Sequence, residues 1–419
     1  MKPTLSRAVR RTLRRIPSVS LALATPLAVC TPLALVAASA GAADWEVKPR
    51  LEAGYQWDDN YRLSLPGTET EVSGAMADAQ LEIEARSQTV EFSFTPRVRA
   101  TYFPNDREEN SEDYLGRVEL LQRGQTSEAT VRLDYAREDV VSSEQPGTEI
   151  DTDLGVPTVG EGGLVVVRNR RQLISIQPAL SHELAPRHHL RYELGYTDVE
   201  YEEDLTEFQV PYTDAQAAIG WTFDYSERSA LTTRARASRY EIESGEQRSD
   251  AYGLELELGT DTTQTLRTFL RIGAQNTDLT NVVNDDTQTE TSWLAGGGLR
   301  WVAGLTDLFL DATRTVGPTS SGFIVERDQL RLRLDRAVTP RFSFFTGVRG
   351  VRDEAIDENS TFTGRRYATA DLGVRWRMQQ TLSLLASVDY TWQEFGEGGE
   401  DADSSGALLT FIYEPRRRD

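Results

Sequence analysis

The sequence predicts an all-β protein, a transmembrane antiparallel up-and-down β-barrel of about 18 strands with short periplasmic turns and long extracellular loops. Apolar and polar residues alternate along most of the chain, which gives each strand one apolar and one charged face. The composition, 39% hydrophobic and 26% charged, is too polar for a bundle of membrane helices. Short and long connections also alternate between the predicted strands, as they do in membrane barrels.

The stretch from Trp45 to Trp57 shows the alternation most clearly. Its odd positions read Trp, Val, Pro, Leu, Ala, Tyr and Trp, and its even positions read Glu, Lys, Arg, Glu, Gly and Gln. A tilted strand of this length rises on the order of 28 Å, close to the roughly 25 Å between the aromatic girdles of a membrane barrel. We therefore expect the apolar face to meet lipid and the charged face to line the lumen.

Further strands are predicted from the same alternation. In chain order they cover residues 75–85, 90–102, 114–122, 129–137, 164–184, 190–201, 213–225, 231–240, 251–259, 266–276, 291–302, 307–315, 323–336, 342–352, 367–378, 381–392 and 405–413. An even count places both ends of the barrel on the side of the short turns. Sixteen strands is the alternative, since boundaries set by alternation shift by a few residues.

The first 42 residues differ from the rest and predict a secretory signal peptide. A basic segment with five arginines precedes an apolar run, and two small-residue cleavage motifs end near Ala42. The alternative is an N-terminal membrane anchor. We expect residues 43–414 to form the barrel and residues 415–419 to form a short periplasmic tail.

Composition excludes several kinds of site. Cys30 is the only cysteine and lies in the predicted signal peptide, so neither disulfides nor thiolate metal sites are expected. The formal charge of −21 disfavours a nucleic-acid partner. The three histidines flank a predicted periplasmic turn, and no nucleophile or phosphate-binding motif occurs. We therefore expect no enzyme activity, no cofactor and no metal centre.

The charged faces of the strands supply the candidate pore-lining residues. They carry both signs, so the lumen must be hydrated or internally paired, because isolated buried charge is costly. The candidates are Glu82, Glu84, Arg132, Asp134, Glu255, Glu257, Arg267, Arg271, Arg331, Arg333, Asp335, Arg375 and Arg377. About 18 strands leave an aqueous lumen. The alternative is that these charges only stabilise a closed barrel.

Residues 138–163 form the longest predicted loop and the third long loop in order. Loops of this length are usually functional or disordered. Its acids Glu144, Glu149, Asp151 and Asp153 are the constriction candidates, because an acidic loop folded against basic wall residues would create a transverse field. The alternative is a mobile loop outside the pore, which the glycine and proline content also fits.

Two motifs resemble those of known outer-membrane porin-like barrels. The strand from Ser404 to Phe411 resembles the C-terminal signal read by the barrel-assembly machinery. Trp45-Glu-Val-Lys-Pro followed by Asp58, Asp59 and Asn60 is similar to barrel proteins associated with exopolysaccharide export and PEP-CTERM systems. The resemblance implies the assembly machinery and a polysaccharide as partners, and a role for Asp58, Asp59 and Asn60.

Together these patterns predict a passive, water-filled pore in the outer membrane of a Gram-negative bacterium, in contact with lipid and lipopolysaccharide. The resemblance implies a link to exopolysaccharide export or to solute diffusion. The alternative function is a surface-exposed structural or glycan-binding barrel that acts through its acidic extracellular loops. Oligomeric state and solute are left open by the sequence.

Overall fold

The computed structural model describes residues 43–145, 148, 165–203, 209–243, 247–283, 286–357, 360, 362–396, 399 and 401–415. Eighteen strands form one sheet. The first nine are β1 Asp44–Asp58, β2 Val72–Arg86, β3 Val90–Tyr102, β4 Ser111–Arg123, β5 Ser127–Asp139, β6 Arg170–Ala185, β7 His188–Tyr201, β8 Tyr212–Ser226 and β9 Ser229–Ile242. The second nine are β10 Gln247–Asp261, β11 Leu266–Asn281, β12 Asp286–Ala303, β13 Thr306–Pro318, β14 Ile324–Thr339, β15 Phe342–Ala355, β16 Arg365–Arg377, β17 Leu382–Phe395 and β18 Asp401–Tyr413.

The sheet closes on itself. Each strand pairs antiparallel with the next along the chain, and β18 pairs with β1, from Leu51 opposite Tyr413 to Asp58 opposite Gly406. Closure leaves no sheet edge, which is the condition for a sheet to span a membrane. The predicted barrel and its count of 18 strands are confirmed. No helix among the described residues has the length and apolarity needed to span a bilayer.

The outer face is apolar, as the alternation predicts. On β1, Trp45, Val47, Leu51 and Tyr55 are about half exposed, whereas the intervening charged residues point to the other face. The closing strand continues this surface, because Phe411 is exposed opposite Ala53. Exposed apolar side chains on the outside and charges on the inside define a transmembrane β-barrel.

Several strands extend beyond the predicted limits at the end with the long connections. β11 and β12 pair as far as Asn281 and Asp286, where the alternation predicts a loop from residue 277 to 290. Polar cross-strand contacts hold this extension, such as the hydroxyls of Thr280 and Thr287 at 3.1 Å. Beyond the bilayer, paired strands do not need an apolar face. The alternation that indicates membrane strands therefore disappears, although the strands remain hydrogen-bonded to each other.

The sixth strand is predicted to begin at residue 164, which lies outside the described residues, and for residues 165–169 this prediction is wrong. β6 begins at Arg170, and Val165 is fully buried within the mouth of the barrel instead. Two short elements accompany it there: a 3-10 turn, Arg107–Glu109, and a five-residue helix, α1, Val140–Glu144. The apolar residues of these connections pack inward because the mouth offers them a surface shielded from water.

Candidate functional site

The strand register places the predicted pore-lining residues on the inner face of the barrel. On β14, for example, Arg331 and Arg333 alternate with Leu330, which is 49% exposed on the outside. The register places the remaining candidates, on β2, β5, β10, β11, β14 and β16, on the inner face as well. The charged face of the barrel therefore surrounds the lumen.

Most of these charges meet an opposite charge on the same or the next strand. On β10 and β11, Arg271 lies 2.7 Å from Glu257 and 3.6 Å from Glu255. Glu255 is also 3.4 Å from Arg236 of β9. Because neighbouring strands bring these side chains together, each of these charges is balanced within the wall and the inner face stays polar.

The same arrangement recurs around the wall. Lys48 of β1 lies 2.7 Å from Glu84 and 3.6 Å from Glu82. Asp134 of β5 accepts hydrogen bonds from Arg117 at 2.7 Å and from Arg132 at 2.8 Å. These pairs contribute modestly to stability, since most of these partners are partly exposed to the lumen.

The wall formed by β13 to β16 carries further ion pairs. Arg331 lies 2.7 Å from Asp311, which is almost fully buried. Arg333 lies 3.2 Å from both Asp335 and Asp371. Asp371 therefore links β16 to β14 across β15.

Three arginines occupy the end of the lumen with the short turns. Arg267 is 2.8 Å from Asp261, and its side chain is 76% exposed. Arg375 and Arg377 lie at the last turn-proximal positions of β16 and are exposed. The inner wall is therefore accessible to solvent at these three positions.

Asp58, Asp59 and Asn60 join the first strand to the last. Asp58 accepts a hydrogen bond from the Ser404 hydroxyl at 2.6 Å. Asp59 accepts one from the backbone N–H of Ser405 at 2.7 Å. Asn60 is buried and donates to the carbonyls of Ser64 and Asp403 at 2.8 and 2.9 Å. The motif therefore acts as a latch that folds the β1–β2 connection inward against β18.

Leu63, three residues after this latch, has an unusual backbone conformation. Its φ is +47°, the left-handed region that a non-glycine residue rarely adopts. The side chain is buried in a cluster with Val141, Val165, Val351, Tyr367 and Ala402. Burial of an apolar side chain offsets the strain. The cluster joins three connecting segments to the inner wall. The segments are the β1–β2 connection, α1 and the residues just before β6, and the wall residues belong to β15, β16 and β18.

A buried ion-pair network lies beside this cluster. Arg62 donates to both carboxylate oxygens of Glu109 at 2.6–2.9 Å and lies 3.5 Å from Asp139. It also donates to the carbonyl of Val165 at 3.2 Å. Burial raises the pKa of the neighbouring Tyr61. The guanidinium thus joins its own segment to three others that are distant in sequence, and it is costly to remove because buried carboxylates would remain.

Glu144 ends helix α1 and is fully buried. Its carboxylate accepts hydrogen bonds from the hydroxyls of Tyr201 at 3.2 Å and Ser320 at 2.9 Å. Arg171 lies 3.7 Å away. The helix is thereby attached to β6, β7 and the β13–β14 connection. Glu144, one of the predicted constriction acids, therefore faces a basic residue of the wall and is enclosed by the protein.

Thr148 lies farther along the same connection and contacts the opposite wall. Its hydroxyl donates to Asp371 and accepts from Arg333 at 3.3 Å. The connection leaves from β5, and Arg333 belongs to β14, nine strands away in a ring of eighteen. This part of the chain therefore crosses the lumen. Glu149, Asp151 and Asp153, the other predicted constriction acids, lie outside the described residues.

Sequence patterns did not indicate the buried mouth network. The pair Val140-Val141 in an acidic segment, and Leu63 within a predicted loop, were its only local signals. In the sequence, Arg62 and Glu109 resemble ordinary surface charges. They are 47 residues apart, so no local pattern indicates that they form an ion pair.

The closed sheet, its apolar outside and its charged inside define the class of this protein: a transmembrane β-barrel of the outer membrane of a Gram-negative bacterium. No protein-family model and no curated protein matches the sequence. Solved barrels do resemble its structure, at low sequence identity.

OpdQ of Pseudomonas aeruginosa matches with a TM-score of 0.48 and 11% identity, over 89% of this chain and 98% of that one. OccK2 (OpdF) of the same organism, solved in complex with glucuronate, matches with a TM-score of 0.47 and 11% identity, over 88% and 99%. The outer membrane channel DcaP of Acinetobacter baumannii matches with 0.45 and 9%, over 90% and 98%. The assignment of the fold rests on the register and exposure of the strands themselves.

Proposed function

We propose that the protein forms a passive, water-filled pore that is narrowed by the connection between β5 and β6. The observation that carries the proposal is the contact of Thr148 with Arg333 and Asp371 on the far wall. A segment fixed at both walls divides the lumen and reduces the width available to a solute. Passage is by diffusion and involves no catalysis.

The charges of the wall support a polar pathway. Ion pairs such as Arg271 with Glu257 and Arg331 with Asp311 keep both signs at the lumenal surface. A lumen with fixed charges of both signs retains water and favours small polar or charged solutes over apolar ones. An 18-stranded barrel has the circumference for such an aqueous channel.

Four partners belong to the proposal. Lipid and lipopolysaccharide would surround the apolar outer face, and the barrel-assembly machinery would recognise the C-terminal strand that ends near Phe411. Export of exopolysaccharide would supply a polysaccharide as the transported partner. This last link is supported only by the sequence resemblance that covers Trp45 to Pro49 and Asp58 to Asn60.

Single-channel recording in planar bilayers tests the pore and its constriction separately. We expect discrete conductance steps for the wild-type barrel. Deletion of Ser142 to Gly160 should raise the conductance and change the ion selectivity, because it removes the segment that crosses the lumen. The control is Glu108→Ala, which removes one exposed acid from a neighbouring connection. Unchanged conductance in the deletion variant would place the segment outside the pathway.

A closed scaffold with function in its extracellular loops is the second candidate. The buried mouth network favours it, since Arg62, Glu109 and the Leu63 cluster fill part of the mouth with packed side chains. Absence of conductance from folded, heat-modifiable barrels would support this candidate, and glycan binding that is lost on removal of the loops would give it a function.

A further inference from the structure

A groove crosses the outer surface of the barrel over β11 to β17. Its floor combines Leu330 with small residues that are neighbours in the strand register, and its volume is about 700 Å³. Gly297 lies opposite Ala312, and Gly350 lies between Leu330 and Ala368 on the adjacent strands. Small residues leave a depression where most of the outer face carries large apolar side chains.

Charged residues form the next row toward the end with the long connections. In order across β13 to β17 they are Arg314, Asp328, Arg352, Arg366 and Glu394. Signs alternate along this row except at one point, where Arg352 faces Arg366 directly. Like charges at directly opposite positions repel each other.

Each arginine of this row has a carboxylate partner, and Arg314 is paired with Asp328. Arg352 is paired with Glu354, and Arg366 lies 3.4 Å from Glu394. Both guanidinium side chains remain close to half exposed, at 49% and 45%. An arginine can hold a carboxylate and a phosphate together, because its five N–H donors form a planar fork. The two facing arginines therefore expose N–H donors on the outer surface of the barrel, at the same level along the barrel axis.

Aromatic residues show the depth of this row in the membrane. Arg314 stacks on Trp293, with 4.3 Å between the guanidinium carbon and the ring centroid. Trp392 lies beside Ala368, one row below Arg366. Tryptophans of membrane barrels mark the interface between hydrocarbon and headgroups. The small-residue floor therefore faces acyl chains, and the arginines face headgroups on the extracellular side.

We propose that this groove is a specific binding site for lipopolysaccharide, with an acyl chain of lipid A on the small-residue floor and a lipid A phosphate between Arg352 and Arg366. The extracellular side of a Gram-negative outer membrane supplies this lipid. The phosphate accepts hydrogen bonds from N–H groups that the two half-exposed arginines keep beside their own carboxylates, and the acyl chain fills the depression. The site lies outside the barrel, so it does not depend on whether the lumen conducts.

The test is a titration of the purified, detergent-solubilised barrel with purified lipopolysaccharide, with bound lipid counted by native mass spectrometry. We expect Arg352→Gln combined with Arg366→Gln to weaken binding at least tenfold. The matched control is Arg239→Gln combined with Arg248→Gln, since these outward-facing arginines share Asp250 elsewhere on the same rim. The control should bind within twofold of the wild type.

A second pair of variants addresses the floor without changing charge. Gly350→Leu should also weaken binding about tenfold, because a Cβ at this position meets no other atom and the side chain would fill the groove. Gly116→Leu is the control, another outward-facing glycine with open space around it. Heat-modifiable mobility verifies that all variants are folded.

Three results would overturn the proposal: groove variants that bind within twofold of the wild type, equal binding of phosphatidylglycerol, or a disulfide between two copies carrying Gly350→Cys. The last would show that a second copy of the chain occupies the groove. Single-channel conductance should be the same in all groove variants, so loss of the lipid site and failure of the proposed pore are distinguishable.

Discussion

Removal of the Glu144 carboxylate should release the segment that crosses the lumen. In the wild type this carboxylate is fully buried and joins helix α1 to Tyr201, Ser320 and Arg171. Glu144→Ala removes all three contacts at once. The barrel itself should remain folded, because none of its strand ladders depends on this side chain.

The structure allows an estimate of the magnitude. Removal of one partner of a buried ion pair costs about 3–5 kcal/mol. The lower end applies here, since Arg171 keeps Glu138 at 3.3 Å and is not left without a counter-charge. A loss of about 3 kcal/mol raises the population of the released state by about two powers of ten. Glu144→Gln should have a smaller effect, because an amide can still hydrogen-bond to both hydroxyls.

A single cysteine reports this release. Cys30 is the only cysteine in the sequence and lies in the predicted signal peptide, so Val141→Cys gives the mature barrel one thiol. Val141 is only 7% exposed, and a water-soluble thiol reagent should reach it only after the segment opens. We expect Glu144→Ala to accelerate modification about 100-fold. Conductance should rise in parallel.

Glu108→Ala is the control in the same background, since it deletes an exposed acid from the neighbouring 3-10 turn. It should leave the modification rate within twofold of the parent. A Glu144→Ala barrel that is heat-modifiable and modified no faster than the parent would refute the role of Glu144 as an anchor.

Further predictions concern the seam and the mouth. Phe411→Asp and Leu409→Asp each place charge on the lipid face and should cost about 2 kcal/mol or less, seen as reduced insertion into outer membranes; insertion at the wild-type level would contradict this placement. Asn60→Ala removes the hydrogen bonds to two backbone carbonyls and should weaken the latch by about 2 kcal/mol; faster hydrogen exchange at the start of β18 measures it. Leu63→Gly relieves the left-handed strain but loses buried apolar surface worth about 1.5–3 kcal/mol, so proteolysis at the mouth should become faster, and slower proteolysis would show that strain dominates.

Sequence patterns could predict the wall of this barrel because the alternation of apolar and polar residues is present within each strand. Trp45 to Trp57 alternates over its full length, and the structure places the apolar members of that stretch outside and the charged members inside. The lipid imposes the alternation of apolar and polar residues on every strand independently. Each strand can therefore be predicted from its own residues alone. Strand limits were accurate where the bilayer ends the strand, as for Val90–Tyr102.

The same reasoning failed where lipid no longer acts on the chain. The extensions of β11 and β12 beyond the bilayer carry threonine and aspartate on both faces, so no alternation marked them. Val165 lies in an apolar run that alternation alone assigns to a strand, yet it packs inside the mouth. Burial there is set by residues far away in sequence.

The interior of the mouth illustrates why its residues could not be predicted. Asn60 binds Asp403 across 343 positions, and Glu144 binds Ser320 across 176. Each of these residues is a common loop residue, and its role exists only once the barrel has closed and brought β1 beside β18. The latch at Asp58 to Asn60 and the anchor at Glu144 therefore presuppose a completed wall. It follows that mouth variants should change conductance, proteolysis and thiol access while leaving insertion and heat-modifiable mobility intact, whereas seam variants at Phe411 should change insertion first.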